Sequence, residues 1–281
     1  DEAFANSRWS GEPGRVEYVE QALTPLIGRH PQVNNVSYMG FMVSDDCFIV
    51  DNYLKEQKCP KAVVLLVAPR DFYDVGFESP AAGIAFRKLA DFSHFADFCG
   101  IYLKRPGDYI DFAGERLIVT FALRSKIQDK VHDWVLPKWW EFQSKLIPIQ
   151  SQTDKPESRL AKSIREYGHR YQGITFDAMN KQFVFLEELL DLCNKRHIKT
   201  IVVNAPLTQQ NIKLLPPGLY AQYCERLRDI VSDKHASCLD LSNSTGYTMK
   251  DFSDGVHLNA FGARKLVNQL LPEMAQAVQS P

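Results

Sequence analysis

The run Ala62-Val63-Val64-Leu65-Leu66-Val67 is apolar at every position and rich in β-branched side chains. Successive side chains of a strand point to opposite sides, so a strand of this kind is hydrophobic on both faces and needs cover on both. That requirement favours a parallel sheet between helices over an antiparallel sheet with one wet face. The flanking segments agree. Pro13 to Ile27 places Val16, Val19, Leu23 and Ile27 on one helical face, and Val33 to Tyr38 reads as a strand. Ser44 stands as a cap before a helix whose buried side is supplied by Phe48, Ile49, Val50, Tyr53 and Leu54, and Ala3 to Ala5 reads as the tail of a first strand.

The same alternation returns late in the chain. It runs through a helix over Asp177 to Arg196, a strand at Thr200 to Val203, a helix over Gly218 to Ser232, a strand at Ser237 to Leu241 and a last helix from Ala260. Asn259 is placed to cap that helix, and Val267, Leu270, Leu271, Met274 and Val278 form its apolar stripe. The expected fold is a single α/β domain over residues 1–281. It is a three-layer α/β/α sandwich of the flavodoxin-like kind, with a mostly parallel five-stranded sheet and right-handed crossovers. Residues 74–175 interrupt the alternation after the third strand with a helical, aromatic-rich insertion. Trp134, Trp139 and Trp140 concentrate there beside Lys138. Such a cluster suits packing onto the main domain, a lid over a site, or contact with a membrane surface.

Composition narrows the function classes. Thirty-three basic and 34 acidic side chains give a net charge of -1. No basic run is interleaved with aromatics, so nucleic acid is not an expected partner. Gly11-Glu12-Pro13-Gly14 lacks the glycine spacing that cradles a nucleotide phosphate. Six scattered cysteines contain no Cys-x-x-Cys pair, and the histidines lack metal-ligand spacing, so neither metal nor cofactor is expected. The chain opens at Asp1 without methionine, which leaves room for an upstream signal or anchor and an envelope or periplasmic location.

In an open parallel sheet, ligands gather outside the carboxyl ends of the strands. Here those ends lead to Asn6-Ser7-Arg8, Met39-Gly40-Phe41, Ala68-Pro69-Arg70-Asp71, Asn204-Ala205-Pro206, and Asp251-Phe252-Ser253-Asp254-Gly255-Val256-His257. A carboxylate three residues before an imidazole, in a turn entering a helix, can orient one ring nitrogen and leave the other to take a proton. A plain turn, with the aspartate capping backbone amides, is the competing reading. Asn204 either lines a pocket or merely ends its strand.

These residues resemble the SGNH (GDSL-like) hydrolase superfamily, and most closely the branch of the D-alanyl-lipoteichoic acid biosynthesis protein D. The resemblance covers Asp1 to about Phe72 and about Asp177 to Val278. It implies Ser7 as nucleophile, His257 as general base, Asp254 as orienting carboxylate, and the amides of Ser7 and Gly40 as oxyanion donors. The implied activity is that of a serine-dependent esterase or acyltransferase working through an acyl-enzyme on a small-molecule, glycan or lipid acyl substrate, with a membrane acyltransferase as the implied partner. Two positions depart from the family pattern. Ala5-Asn6-Ser7 replaces Gly-Asp-Ser, and Arg70 stands where an asparagine donor is usual. Arg70 either grips an anionic acyl donor or pairs with Asp71 or Asp74. The departures keep a second expectation open, a catalytically inactive scaffold or binding protein of the same fold.

Overall fold

The computed structural model describes residues 15–36, 40–55, 59–76, 79–90, 92, 95–117, 158–242 and 246–279. In chain order its elements are α1 (Arg15–Ile27), α2 (Val43–Lys55), β1 (Ala62–Val67), α3 (Pro69–Phe72), α4 (Ile84–Leu89), α5 (Phe95–Phe98) and α6 (Pro106–Leu117). There follow α7 (Arg159–Arg170), α8 (Phe176–Lys195), β2 (Lys199–Asn204), α9 (Gln209–Ile212), α10 (Leu219–Asp233), β3 (Ser237–Asp240) and α11 (Ala260–Gln279).

Among the described residues the sheet has three parallel strands in the order β1-β2-β3, with Ala62 opposite Lys199, Val67 opposite Asn204, and Asn204 opposite Asp240. This corrects the expected five-stranded sheet. Val33 to Val36 takes no strand pairing: the Val33 amide donates to the Glu20 carboxylate at 2.9 Å, and Val33 packs against the cluster shared by α1 and α11. Asn34 and Asn35, poor strand formers, leave that run only two apolar residues to bury. The expected first strand at Ala3 to Ala5 lies outside the described residues, as does Tyr38.

The central strand behaves as its sequence demands. Ile201, Val202 and Val203 are all buried, and alternation sends Ile201 and Val203 to one side, where they meet Leu241, Leu266, Leu270 and Ala277. α8 also packs on β2, and it in turn packs on α2, α3 and α10. There Phe72, Phe183 and Tyr223 meet with ring centroids 4.3 to 6.0 Å apart. β1 is half satisfied: Leu65 and Val67 are buried, whereas Val64 and Leu66 on the opposite face are 37% and 40% exposed.

Three polar side chains inside this core, Ser44, Asp45 and Asn204, are paired. Ser44 lies within the first turn of α2, where its amide donates to Gln182 Oε1 at 2.8 Å and its hydroxyl accepts from Gln182 Nε2. The helix start is instead held by Asp45, which accepts from the Met42 amide at 3.1 Å and the Ala85 amide at 2.7 Å. Asn204, at the end of β2, is 1% exposed. Its Nδ2 donates to Asp240 Oδ1 at 3.0 Å, and its Oδ1 accepts from the Tyr223 hydroxyl at 3.2 Å. The expectation of a pocket-lining Asn204 thus meets a side chain that closes the core between β2, β3 and α10.

The chain divides into two compact units. One holds the sheet and its helices, including residues 158–175, and the other contains residues 79–82 and 86–117 of the described chain. In the second unit Phe86 stacks on Tyr102 with centroids 4.8 Å apart, and the Arg116 guanidinium lies 3.9 Å from the Phe112 ring centre while donating to the carbonyls of Phe86 and Ala90. Trp134, Trp139 and Trp140 lie outside the described residues.

Replacing Asn204 by alanine leaves the buried Tyr223 hydroxyl without its Asn204 acceptor and removes the link from β2 to Asp240. Urea unfolding should show a loss of about 1–3 kcal/mol. A change indistinguishable from zero would mean that the network closes without it.

Candidate functional site

The turn between β3 and α11 is built by short-range polar contacts. Thr248 caps a single 3-10 turn, Met249–Asp251, with the Asp251 carboxylate accepting back from the Thr248 amide at 2.8 Å. Phe252 and Leu258 form an antiparallel bridge, and the Ser253 amide donates to the His257 carbonyl at 2.8 Å. Asn259 performs the cap its sequence position implies. Its Oδ1 accepts from the amides of Phe261 and Gly262 at 3.0 and 3.1 Å, while its Nδ2 donates to the Lys250 carbonyl at 2.6 Å.

Two glycines let this turn sit where it does. A Cβ on Gly262 would lie 2.2 Å from the Asp251 carbonyl oxygen. One on Gly255 would lie 3.0 Å from both Ile164 Cδ1 and Ser163 Oγ on α7. Gly255 is also gripped by hydrogen bonds: its amide donates to Ser163 Oγ at 3.3 Å and its carbonyl accepts from the Thr208 hydroxyl at 2.6 Å.

Within the turn Asp254 does two jobs with two oxygens. Oδ1 accepts from the amides of Val256 and His257 at 2.8 and 2.9 Å, and Oδ2 lies 2.8 Å from His257 Nδ1. The capping reading and the imidazole-orienting reading of this spacing are therefore both realised. Partial burial pushes the Asp254 carboxyl up, but the hydrogen bonds from the His257 ring and from the two amides outweigh it and hold the group at about 2. With Asp254 ionised, the proton shared on that side belongs to Nδ1, so in the neutral imidazole the lone pair is on Nε2. The His257 side chain is 65% exposed.

A second group of candidate residues gathers at the end of β1. Gly40 has a left-handed backbone with φ of 93°, a conformation that favours glycine. Its carbonyl accepts from Arg70 Nη2 at 3.1 Å, and the Phe41 carbonyl accepts from Nη1 at 2.6 Å. Arg70 is buried and also pairs with Asp71 at 3.4 Å and Asp74 at 3.3 Å. Of the two roles open to Arg70 from sequence, the ion pair with its neighbours is the one present. Asp71 accepts from the Ala68 amide at 2.8 Å, and burial raises its carboxyl despite the opposing pull of Arg70. Burial, then the charges of Asp71 and Asp45, raise Asp46 well above the ordinary carboxylate value.

Helix α7 connects the two groups. Arg170 Nη1 donates to Asp74 Oδ2 at 2.7 Å, the Val75 amide donates to the Arg170 carbonyl at 3.0 Å, and Arg170 also pairs with Glu166 at 2.6 Å. One turn earlier, the Tyr167 ring stands edge-on to His257 with centroids 6.5 Å apart and planes at 70°. Burial first, then the charges of Asp71 and Asp254, push the Tyr167 hydroxyl up to about 12 against the pull of Arg70 and Arg170. Its electrostatic neighbours thus come from both groups. Ser163, Tyr167 and Arg170 follow helical spacing behind the Ser158 cap, a signal present in the sequence but obscured when residues 158–175 are grouped with the insertion.

Ser7 lies outside the described residues. Asp254 and His257 are brought into direct contact, Gly40 and Arg70 into another, and Asn204 is taken into the core. Among the described residues, no group of three or more His, Cys, Asp or Glu side chains is arranged to hold a metal ion, and no helix is long and apolar enough to cross a membrane. The cysteines are free thiols.

A family model described as "Protein of unknown function (DUF1574)" matches residues 138–274, a little under half of the chain. That span includes Ser163, Tyr167, Arg170, Asp254 and His257, and excludes Ser7, Gly40 and Arg70. No curated protein and no solved structure matches the chain.

The Asp254 carboxyl lies below its ordinary value of about 3.9. It therefore stabilises the fold above about pH 4, and this contribution is lost as the pH falls through about 2. Unfolding compared for the native chain and Asp254→Asn should differ by roughly 2 kcal/mol near neutrality and converge over that interval. A gap that is constant with pH would show that the turn does not depend on the ionised carboxylate.

Proposed function

We propose that the chain is a serine-dependent esterase or acyltransferase acting through a Ser7-His257-Asp254 triad and an acyl-enzyme. The observation that carries this reading is the 2.8 Å contact from His257 Nδ1 to Asp254 Oδ2, with the other carboxylate oxygen held by two backbone amides. Such an arrangement fixes both the tautomer and the direction of the imidazole. The resemblance of the strand-end residues to SGNH hydrolases supplies the nucleophile, Ser7.

In this mechanism His257 Nε2 removes the Ser7 hydroxyl proton as Oγ attacks the substrate carbonyl, and ionised Asp254 stabilises the imidazolium that forms. The tetrahedral oxyanion rests on the backbone amides of Ser7 and Gly40. Collapse breaks the ester bond, the proton passes from His257 to the departing alkoxide, and the acyl group stays on Ser7. Water or a hydroxyl of a small molecule, glycan or lipid then gives its proton to Nε2 as it attacks the acyl carbon, and collapse breaks the bond to Ser7 Oγ, which takes the proton back from Nε2. Water makes the reaction a hydrolysis, and any other acceptor makes it a transfer. A membrane acyltransferase is a fitting partner for the second case.

A second reading, a catalytically inactive scaffold or binding protein, is favoured by one observation. The donors of Arg70 go to the Gly40 and Phe41 carbonyls, Asp71 and Asp74, where the family pattern uses a side chain for the oxyanion. Labelling with a fluorophosphonate decides between the two. The native chain should label, Ser7→Ala and His257→Ala should not, and Asp254→Asn should label more slowly, on the order of ten-thousandfold. Absence of labelling in folded native protein would leave the scaffold reading standing.

The proposed acyl substrate also gives the tryptophans a role, in which Trp134, Trp139 and Trp140 touch a membrane surface. Replacing all three by alanine should abolish co-sedimentation with liposomes. Unchanged co-sedimentation would remove the membrane role and leave the triad unaffected.

A further inference from the structure

A single hydrogen bond fixes a point on an imidazole ring but not its plane. The Nδ1 contact to Asp254 supplies such a point for His257, whose side chain is 65% exposed. Tyr167 offers a contact that bears on the plane of the ring. Its ring is buried, stands at 70° to the imidazole, and lies at a centroid distance within the range of favourable edge-to-face pairs.

Tyr167 is itself held from several sides. The Tyr171 ring packs edge-on at 5.8 Å, and the Arg170 guanidinium lies 5.8 Å from the Tyr167 ring centre while its donors engage Asp74 and Glu166. One turn before it, Ser163 and Ile164 form the wall against Gly255, so the helix that presents the ring also fixes the turn that presents His257. The two partners are thus registered by the same element rather than by separate loops.

We infer that Tyr167 is a positioning residue for His257, whose ring edge holds the imidazole in the plane that faces Asp254. This rests on the reading of His257 as the general base, and it concerns the aromatic ring, not the hydroxyl. Phenylalanine therefore preserves the function and smaller or non-aromatic side chains do not.

The test compares the native chain with Tyr167→Phe, Tyr167→Ala and the volume-keeping Tyr167→Leu. Two readouts are used: the low-field Nδ1 proton and ring nitrogen shifts of His257 by nuclear magnetic resonance, and the rate of fluorophosphonate labelling. Tyr167→Phe should keep the Nδ1 proton signal and label within about twofold of native. Tyr167→Ala and Tyr167→Leu should broaden or lose that signal and label about tenfold more slowly or worse, as expected when a reacting group is misplaced. If alanine unfolds the chain, the leucine variant carries the comparison. Retention of the Nδ1 signal in the leucine or alanine variant, or its loss in the phenylalanine variant, overturns the positioning role. The resonance signal does not require a nucleophile, so a native chain that fails to label while its His257 signal depends on the Tyr167 ring would sink the triad and leave the positioning role intact.

Discussion

One buried carboxylate, Asp74, joins the parts on which the candidate site depends. Its Oδ2 receives Arg70 from the end of β1 and Arg170 from the end of α7, at 3.3 and 2.7 Å. Two guanidiniums sharing one oxygen give each arginine a fixed direction, and each directs its remaining donors to a different neighbour. Arg70 holds the carbonyls of Gly40 and Phe41, while Arg170 holds Glu166 and lies against Tyr167. Removing one member of this cluster leaves the buried charges of the others less compensated. A close-packed helix then carries the constraint onward, since Ser163 and Ile164 on α7 bear directly on Gly255.

At the other end of that path the geometry is local. Asp254 reaches His257 across only three residues, and backbone amides of the same turn occupy its second oxygen. A carboxylate so held has little freedom to rotate away. The turn can adopt this shape because Gly262 lets the first turn of α11 approach the Asp251 carbonyl, where any side chain would collide. Long-range and short-range contacts therefore have separate roles. α7 and Thr208 place the turn, and Asp254 orients the ring within it.

What can be read from the chain follows that division. The segments whose signal is local come through: the apolar run at Ala62 to Val67, the Asn259 cap, and the Asp254 to His257 spacing all involve residues within a few positions of one another. Contacts separated by many residues do not. Asp74 and Arg170 are 96 positions apart, so nothing in the neighbourhood of either announces the other. Val33 to Val36 departs from expectation for a different reason. Its two apolar residues are too few to outweigh two asparagines and a nearby Glu20 carboxylate that accepts from the Val33 amide. Asn204 is ambiguous by nature, because a polar residue at a strand's carboxyl end looks the same whether it meets a ligand or, as here, Tyr223 and Asp240.

The fate of Arg70 bears on how charge is arranged around His257. From sequence it is a candidate cation for an anionic group, but in the fold its charge is opposed by Asp71 and Asp74, and its geometry serves two backbone carbonyls. An arginine neutralised in this way is structural first: a ligand that drew it outward would release both carbonyls and leave Asp74 with Arg170 alone. Stabilisation of a developing oxyanion in the proposed reaction then falls to backbone dipoles, which carry no net charge and need no counter-ion.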